Sequence, residues 1–139
     1  MTRLGLAALL AVLLTLPFGI GSASAANPSE QTISSLPSGA LPISDYYNQS
    51  VYDPKDSKIG EVEDLLVGQA GKIDAAIVGV GGFLGAGEKN VAVPFNALKL
   101  TEKNGKRYLV MDTTKEALEK APGYTFDRTA YQWVPAKKS

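Results

Sequence analysis

The fold of this chain is decided by residues 58–98, KIGEVEDLLVGQAGKIDAAIVGVGGFLGAGEKNVAVPFNAL. Short apolar stretches alternate here with glycine-containing turns, a pattern typical of β-strands joined by tight connections. The second half of Lys72–Val80 is apolar on both faces, as expected of a strand wrapped into a core. Val91 and Val93 alternate with a smaller residue, and Pro94 marks a corner. The stretch therefore predicts a strand-rich scaffold with few side chains suited to catalysis.

One segment of this stretch, Lys58–Val67, has an ambiguous period. Its apolar residues fall near helical spacing, but a strand with a β-bulge would also change the face on which they appear. Periodicity alone leaves both interpretations open. The apolar residues concerned are Ile59, Val62, Leu65 and Leu66.

Two local signals follow downstream. Asn104-Gly105 tolerates the positive φ angles of a type I′ turn, so it predicts a β-hairpin. A short helix is expected over residues 112–121, because Thr113 and Glu116 have the spacing of a capping box and Pro122-Gly123 would end the helix. We expect this helix to plug or flank the domain. The aromatic residues beyond it are irregularly spaced and predict a tail packed over the domain: Tyr124, Phe126, Tyr131 and Trp133.

The N-terminus has the pattern of a secretory signal peptide over residues 1–25. Arg3 provides the positive n-region, residues 4–20 are mainly apolar, and small residues precede a cleavage site between Ala25 and Ala26. An uncleaved anchor is disfavoured, because a proline and a glycine interrupt an apolar run that is shorter than the roughly 20 residues a bilayer span needs. The protein is therefore expected to be periplasmic or secreted, with no integral membrane span after cleavage.

The expected mature chain has room for one domain. Residues 26–44, ANPSEQTISSLPSGALPIS, contain three prolines and five serines without a sustained apolar period, which predicts a disordered, flexible tether. We place the folded domain at residues 45–126 and a C-terminal tail at residues 127–139. A domain of this size is expected to be only modestly stable.

Composition excludes several function classes. The chain contains 14 Lys and Arg against 14 Asp and Glu, and loss of Arg3 with the signal peptide leaves a net charge of minus one. A nucleic-acid partner is not expected, because it would require a basic stripe. The absence of histidine removes the usual proton shuttle and the commonest transition-metal ligand. The absence of cysteine excludes both a lipid-modified cysteine and disulfide formation.

Three motifs resemble the PRC-barrel family: KIGEV at residues 58–62, the glycine run at residues 79–85 and VAVP at residues 91–94. The resemblance covers about residues 46–124. It implies a mainly β fold, a small β-barrel with one short C-terminal helix, and it favours a bulged strand over residues 58–67. Known members include the H subunit of photosynthetic reaction centres and a ribosome maturation factor, which are adaptor-like and share no catalytic residues. Neither partner carries over, because this chain has a signal peptide and a tether in place of a membrane helix or an RNA-related domain.

The acidic residues Glu61, Glu63 and Asp64 are the strongest candidates for catalysis. Two of them lie at i and i+2 on one strand face, where they could supply a carboxylate pair. The alternative, solvated side chains on the outside of a barrel strand, is favoured because charged residues are mostly exposed. Asp53 and Asp56 do not fit a calcium loop, since alternating oxygen ligands and a closing glutamate are missing. We expect these two residues to stabilise a local turn.

Nucleophilic catalysis has no support in the sequence. Without histidine or cysteine, a serine or threonine nucleophile would require a lysine base such as Lys58 or Lys89, and no motif supports this. We therefore expect no catalytic residues, no metal site and no cofactor.

The glycine run at residues 79–87 is not interpreted as a phosphate-binding loop. Such a loop must lie between a strand and a helix, whereas residues 89–93 continue as a strand. We expect a long hairpin end instead, in which two large apolar side chains either fold back over the barrel or form an exposed tip. The exposed tip is the partner-binding hypothesis, and it comprises Gly82, Phe83, Leu84 and Gly85.

The sequence thus predicts an exported, non-enzymatic PRC-barrel module for protein–protein docking or self-association, with an unidentified protein partner or a second copy of the chain. The alternative is a small-ligand binding protein that uses the barrel interior or mouth. A barrel of this size is normally filled by its own side chains, which disfavours the alternative. An enzyme is the third possibility, and buried carboxylates would be its signature.

Overall fold

The computed structural model describes residues 31–81 and 87–137, together with Gly19 and Gly21. The chain divides into two units, Met1–Ser38 and Gly39–Ser139. The described part of the first unit, residues 31–38, consists of bends and turns with exposed side chains. The predicted cleavage site lies outside the described residues. Within the described part of the chain, no helix has the length and apolar character needed to cross a bilayer.

The described residues of the second unit form one eight-stranded sheet. Its order is β5-β6-β1-β2-β3-β4-β7-β8, and all neighbours are antiparallel except β1 and β6, which are parallel. The strands are β1 (Ser50–Tyr52), β2 (Lys58–Val67), β3 (Ile73–Val80), β4 (Lys89–Pro94), β5 (Lys99–Lys103), β6 (Lys106–Val110), β7 (Gly123–Asp127) and β8 (Gln132–Pro135). The predicted mainly β fold with one short helix is confirmed.

The sheet curls around a single core. Leu109 on β6 and Val91 on β4 belong to the same cluster of buried side chains, although β1, β2 and β3 lie between their strands. Burying each such aliphatic side chain contributes about 1.5–3 kcal/mol. The cluster consists of Tyr46, Val51, Ile59, Val62, Leu65, Ala76, Val78, Val80, Val91, Val93, Leu98, Leu109 and Leu118.

Strand β2 contains the β-bulge that the ambiguous spacing allowed. Its register with β3 shifts between Val62 and Asp64 and again between Leu66 and Val67. The first shift explains the helix-like spacing, because the extra residue lets both Val62 and Leu65 face the core. The bulged-strand interpretation is confirmed.

The hairpin between β5 and β6 is confirmed. Asn104 and Gly105 have φ angles of 52° and 73°, and Lys103 pairs with Lys106 across the turn. Both positive angles belong to the type I′ geometry that matches strand twist.

The short helix α1 spans Lys115–Lys120. Its N-cap is Thr114, whose hydroxyl oxygen accepts a hydrogen bond from the Ala117 backbone N–H at 3.1 Å. The predicted cap at Thr113 was therefore wrong by one residue, because Thr114 is the residue with the extended backbone that an N-cap requires. Leu118 is buried in the core, so α1 covers the barrel as expected.

The segment predicted as an irregular aromatic tail contains the β7–β8 hairpin. Asp127 organises its turn, since its Oδ1 accepts hydrogen bonds from the backbone N–H groups of Thr129 and Ala130 at 2.8 and 3.1 Å. Tyr131 then adopts a φ of 52°, which completes the reversal. Turns of this kind depend on side-chain bonding to the backbone, which irregular aromatic spacing does not reveal.

Candidate functional site

The candidate site lies on the side of the sheet that faces away from the core. Val62 and Val78 are cross-strand partners that point into the core. Because side chains alternate along a strand, the neighbouring partners Glu61 and Gly79 lie on the opposite side, which we call the outer face. Asn90 on β4 pairs with Gly79 and lies on the same outer face.

Two carboxyl groups meet above Gly79. A Cβ atom at this position would overlap the Glu88 carboxyl and lie 2.9 Å from Glu63 Oε1. The glycine therefore leaves the space that both side chains occupy. We call Glu63 and Glu88 the carboxyl pair.

The surroundings of the carboxyl pair favour the protonated form of Glu63. Burial raises the pKa of Glu63, and the negative charge of Glu88, a hydrogen bond with the Glu88 side chain and the charge of Glu61 raise this pKa further. A hydrogen bond between two carboxyl groups requires one of them to be protonated. The pair is thus a hydrogen-bond donor and acceptor in its protonated form and a concentrated negative charge in its ionised form.

An open groove of about 310 Å³ adjoins the carboxyl pair. Lys58 lines it and forms an ion pair with Glu61, with Nζ and Oε2 3.3 Å apart. Both side chains of this ion pair are exposed, so it contributes at most about 1 kcal/mol. The other lining residues are Ile59, Gly60, Glu61, Gly79, Gly81, Glu88 and Lys115.

Three glycines line the groove, and charged side chains of both signs surround them. Such a surface can bind a polar or charged group through its lysine and glutamate side chains. Among the described residues, no group of three or more histidine, cysteine, aspartate or glutamate side chains is placed to hold a metal ion.

The structure separates the three acidic residues that the sequence grouped. Glu61 and Glu63 both approach the outer side of Gly79, as the i and i+2 spacing predicted, but the carboxyl group that meets Glu63 there is that of Glu88. Asp64 lies on the same outer face but opposite Ile77, and its Oδ1 accepts a hydrogen bond from the Leu65 backbone N–H at 2.8 Å. Sequence reasoning missed Glu88, since its position depends on the register between β3 and β4.

Asp53 and Asp56 have the turn role that was expected. Asp53 Oδ1 accepts hydrogen bonds from the backbone N–H groups of Lys55 and Ser57, both at 2.9 Å. Asp56 has a φ of 66° and forms an ion pair with Lys103 at 2.6 Å.

The lysines considered as bases have structural contacts. Lys58 pairs with Glu61, and Lys89 Nζ donates a hydrogen bond to the Glu119 backbone carbonyl at 2.6 Å. The partner-binding residues proposed from the sequence, Gly82, Phe83, Leu84 and Gly85, lie outside the described residues. Their role stays a prediction.

A family model for the PRC-barrel domain matches residues 39–118. The chain belongs to the PRC-barrel domain family. This membership confirms the resemblance carried by the motifs in residues 58–94. No curated protein sequence matches the chain.

The match places the β7–β8 hairpin outside the region that the PRC-barrel model covers. The matched residues include β1 to β6 and the first part of α1, and they end before Gly123. The hairpin extends the PRC-barrel sheet through the pairs Asn90–Tyr124 and Val91–Gly123. Tyr124 therefore shares the outer face with Asn90.

A side-chain contact also joins the hairpin to the outer face of the PRC-barrel. The Trp133 indole Nε1–H donates a hydrogen bond to Asp64 Oδ2 at 2.8 Å. Phe126 lies opposite Trp133 on the neighbouring strand, with ring centroids 5.6 Å apart in an edge-to-face arrangement.

Proposed function

We propose that the chain is an exported PRC-barrel module that docks to another protein or to a second copy of itself and performs no catalysis. The observation that carries this proposal is the family match over residues 39–118, which spans most of the folded unit. The family members named above are adaptor-like barrels. The recognition surface is then the outside of the barrel, where charged and apolar groups are accessible.

The packing of the barrel interior supports docking over the small-ligand alternative. Val51, Val62, Val78 and Val91 are fully buried within one cluster. A small barrel filled by its own side chains leaves no interior space of ligand size. Partner binding at the surface does not require such space.

The proposal of export rests on the sequence features of residues 1–44. An n-region, an apolar run and small residues before Ala26 are the parts of a cleavable signal peptide. The described tether residues 31–44 have exposed side chains, which supports a spacer between the processed N-terminus and the barrel. A docking barrel on a spacer could reach a partner at an envelope surface.

The test uses the mature chain, residues 26–139, as immobilised bait in an envelope extract and as a free protein in analytical ultracentrifugation. We expect either one enriched protein that excess free mature chain displaces or a concentration-dependent dimer. Val78→Asp is the control bait, because a charge at this buried position unfolds the barrel. Failure to find a displaceable partner, together with a monomer at all concentrations, would contradict the docking proposal.

A further inference from the structure

The β7–β8 hairpin folds back over the outer face of the barrel. In the sheet order, β3, β4 and β7 separate β2 from β8. Neighbouring strands are about 4.8 Å apart, so a flat sheet would place β2 and β8 roughly 19 Å from each other. Trp133 on β8 nevertheless reaches Asp64 on β2 at 2.8 Å. The hairpin must therefore cross β3 and β4 on the outer side.

Burial of Ile77 independently shows that the outer face is covered. Ile77 lies between Ala76 and Val78, which point into the core, so its side chain points outward. It is nevertheless fully buried, and it is not part of the core cluster. Its cross-strand partner is Asp64, the residue that Trp133 contacts. The indole is thus positioned to cover Ile77.

The hairpin is attached to β4 along a shorter stretch than β3 is. Within the described residues, β7 pairs with β4 only through Gly123 and Tyr124, whereas β3 pairs with β4 along Ala75–Val80. Phe126 remains 41% exposed beside Trp133. Elements with few pairings and partly exposed side chains open locally at lower free energy than the core.

We propose that the β7–β8 hairpin is a displaceable strap, and that the outer face beneath it is a docking site for a chain segment that carries an indole beside a second aromatic ring. The Asp64 carboxylate accepts the indole N–H, and Ile77 supplies the apolar contact. The ligand chemistry is given by the segment already seated there, Phe126 and Trp133 of the same chain. The short connection through Pro122 keeps the strap at an effective concentration on the order of millimolar, so a competing segment must overcome this advantage.

This inference does not depend on export or on the identity of a native partner, because the ligand used to test it is a segment of this chain. The probe is a fluorescently labelled peptide of residues 121–137. The receptor is the full mature chain with Trp133→Ala, which removes the anchor of the strap. The wild-type mature chain, in which the strap is attached, is the control. A second peptide with Trp133→Phe keeps an aromatic ring and loses the N–H donor.

Hydrogen exchange measures strap opening, and fluorescence anisotropy measures peptide binding. In Trp133→Ala, amides of β7 and β8 should exchange at least tenfold faster while those of β2 and β3 keep their protection. The wild-type peptide should bind the variant at least tenfold more tightly than it binds the wild-type chain. The Trp133→Phe peptide should bind about tenfold more weakly, because a hydrogen bond to a charged acceptor is lost.

Each alternative result overturns the proposal. Unchanged exchange in β7 and β8, or loss of protection in β2 and β3 together with the hairpin, would show that the hairpin is not a separable strap. An open hairpin without peptide binding, or equal binding of the two peptides, would show that the outer face is not a docking site for this chemistry.

Discussion

Gly60 is a residue at which a single added carbon atom would collide with the backbone of the neighbouring strand. A Cβ atom there would lie 2.6 Å from Val78 Cγ1 and 2.7 Å from the Gly79 carbonyl oxygen. One of these neighbours is backbone, so the strands would have to separate. The glycine of the KIGEV motif is therefore required by the close approach of β2 and β3.

We predict that Gly60→Ala lowers the free energy of unfolding by about 1–3 kcal/mol, the range typical of overpacked cores. Gly87→Ala is the matched control, because no atom lies within 4 Å of a Cβ built there. Its effect should stay within about 0.5 kcal/mol. Urea denaturation of both variants measures the difference, and equal stability would show that β2 and β3 can move apart at this point.

The carboxyl pair gives a pH-dependent contribution to stability. The pKa of Glu63 is raised above its unfolded value of 4.5. The stabilising contribution is therefore fully present below pH 4.5, and it is lost as the pH rises through the folded pKa. Burial of Glu63 is the largest cause of the raised pKa, followed by the Glu88 carboxyl group and then by the charge of Glu61 on the same strand.

We predict that Glu63→Gln increases stability relative to the wild type at neutral pH, because the amide retains a donor to Glu88 without a second negative charge. The advantage should shrink as the pH falls toward 4.5. Thermal melts of both proteins between pH 4 and 8 measure it, with Glu102→Gln on the exposed edge of β5 as the control. A difference in melting temperature that is constant across this range would contradict the raised pKa of Glu63.

At the scale of elements, local signals predicted the strands well and long-range pairings poorly. The Asn104-Gly105 turn and the alternation through Val93 depend on neighbouring residues, so the sequence was sufficient for them. The positions of Glu88 and Trp133 depend on register and on chain reversal over the outer face, which no local period encodes. The carboxyl pair and the strap therefore became visible only in the structure.

The connection between β3 and β4 is the element to which the partner-binding prediction belongs. We predict that Phe83→Ser combined with Leu84→Ser weakens partner capture or self-association while changing the free energy of unfolding by no more than about 0.5 kcal/mol, as for exposed side chains. If these side chains cap the core instead, Phe83→Ser alone should cost on the order of 3 kcal/mol. Denaturant melts run beside the capture assay separate the two outcomes, and unchanged association would refute the contact role.

At the scale of the whole molecule, the folded unit and the N-terminal residues differ in the kind of sequence they contain. The folded unit is built around a largely aliphatic core, and the chain contains no cysteine. The N-terminal residues instead have the sequence pattern expected of a signal peptide, with an apolar run that Pro17 interrupts before the small residues Ala23 and Ala25. Without cysteine, folding of the chain requires no disulfide formation.

We predict that the exported protein begins at Ala26 and is recovered in the soluble envelope or secreted fraction. The physical reason is that the apolar run is too short and too interrupted for a stable bilayer span, while the small residues at positions 23 and 25 fit the peptidase site. N-terminal sequencing and fractionation measure the outcome. Ala25→Arg is the informative variant, because a large charged residue at the cleavage site should block processing and leave the precursor attached to the membrane. Recovery of the unmodified chain with Met1 intact in the membrane fraction would show that residues 1–25 remain as an anchor, and the docking barrel would then act at a membrane surface.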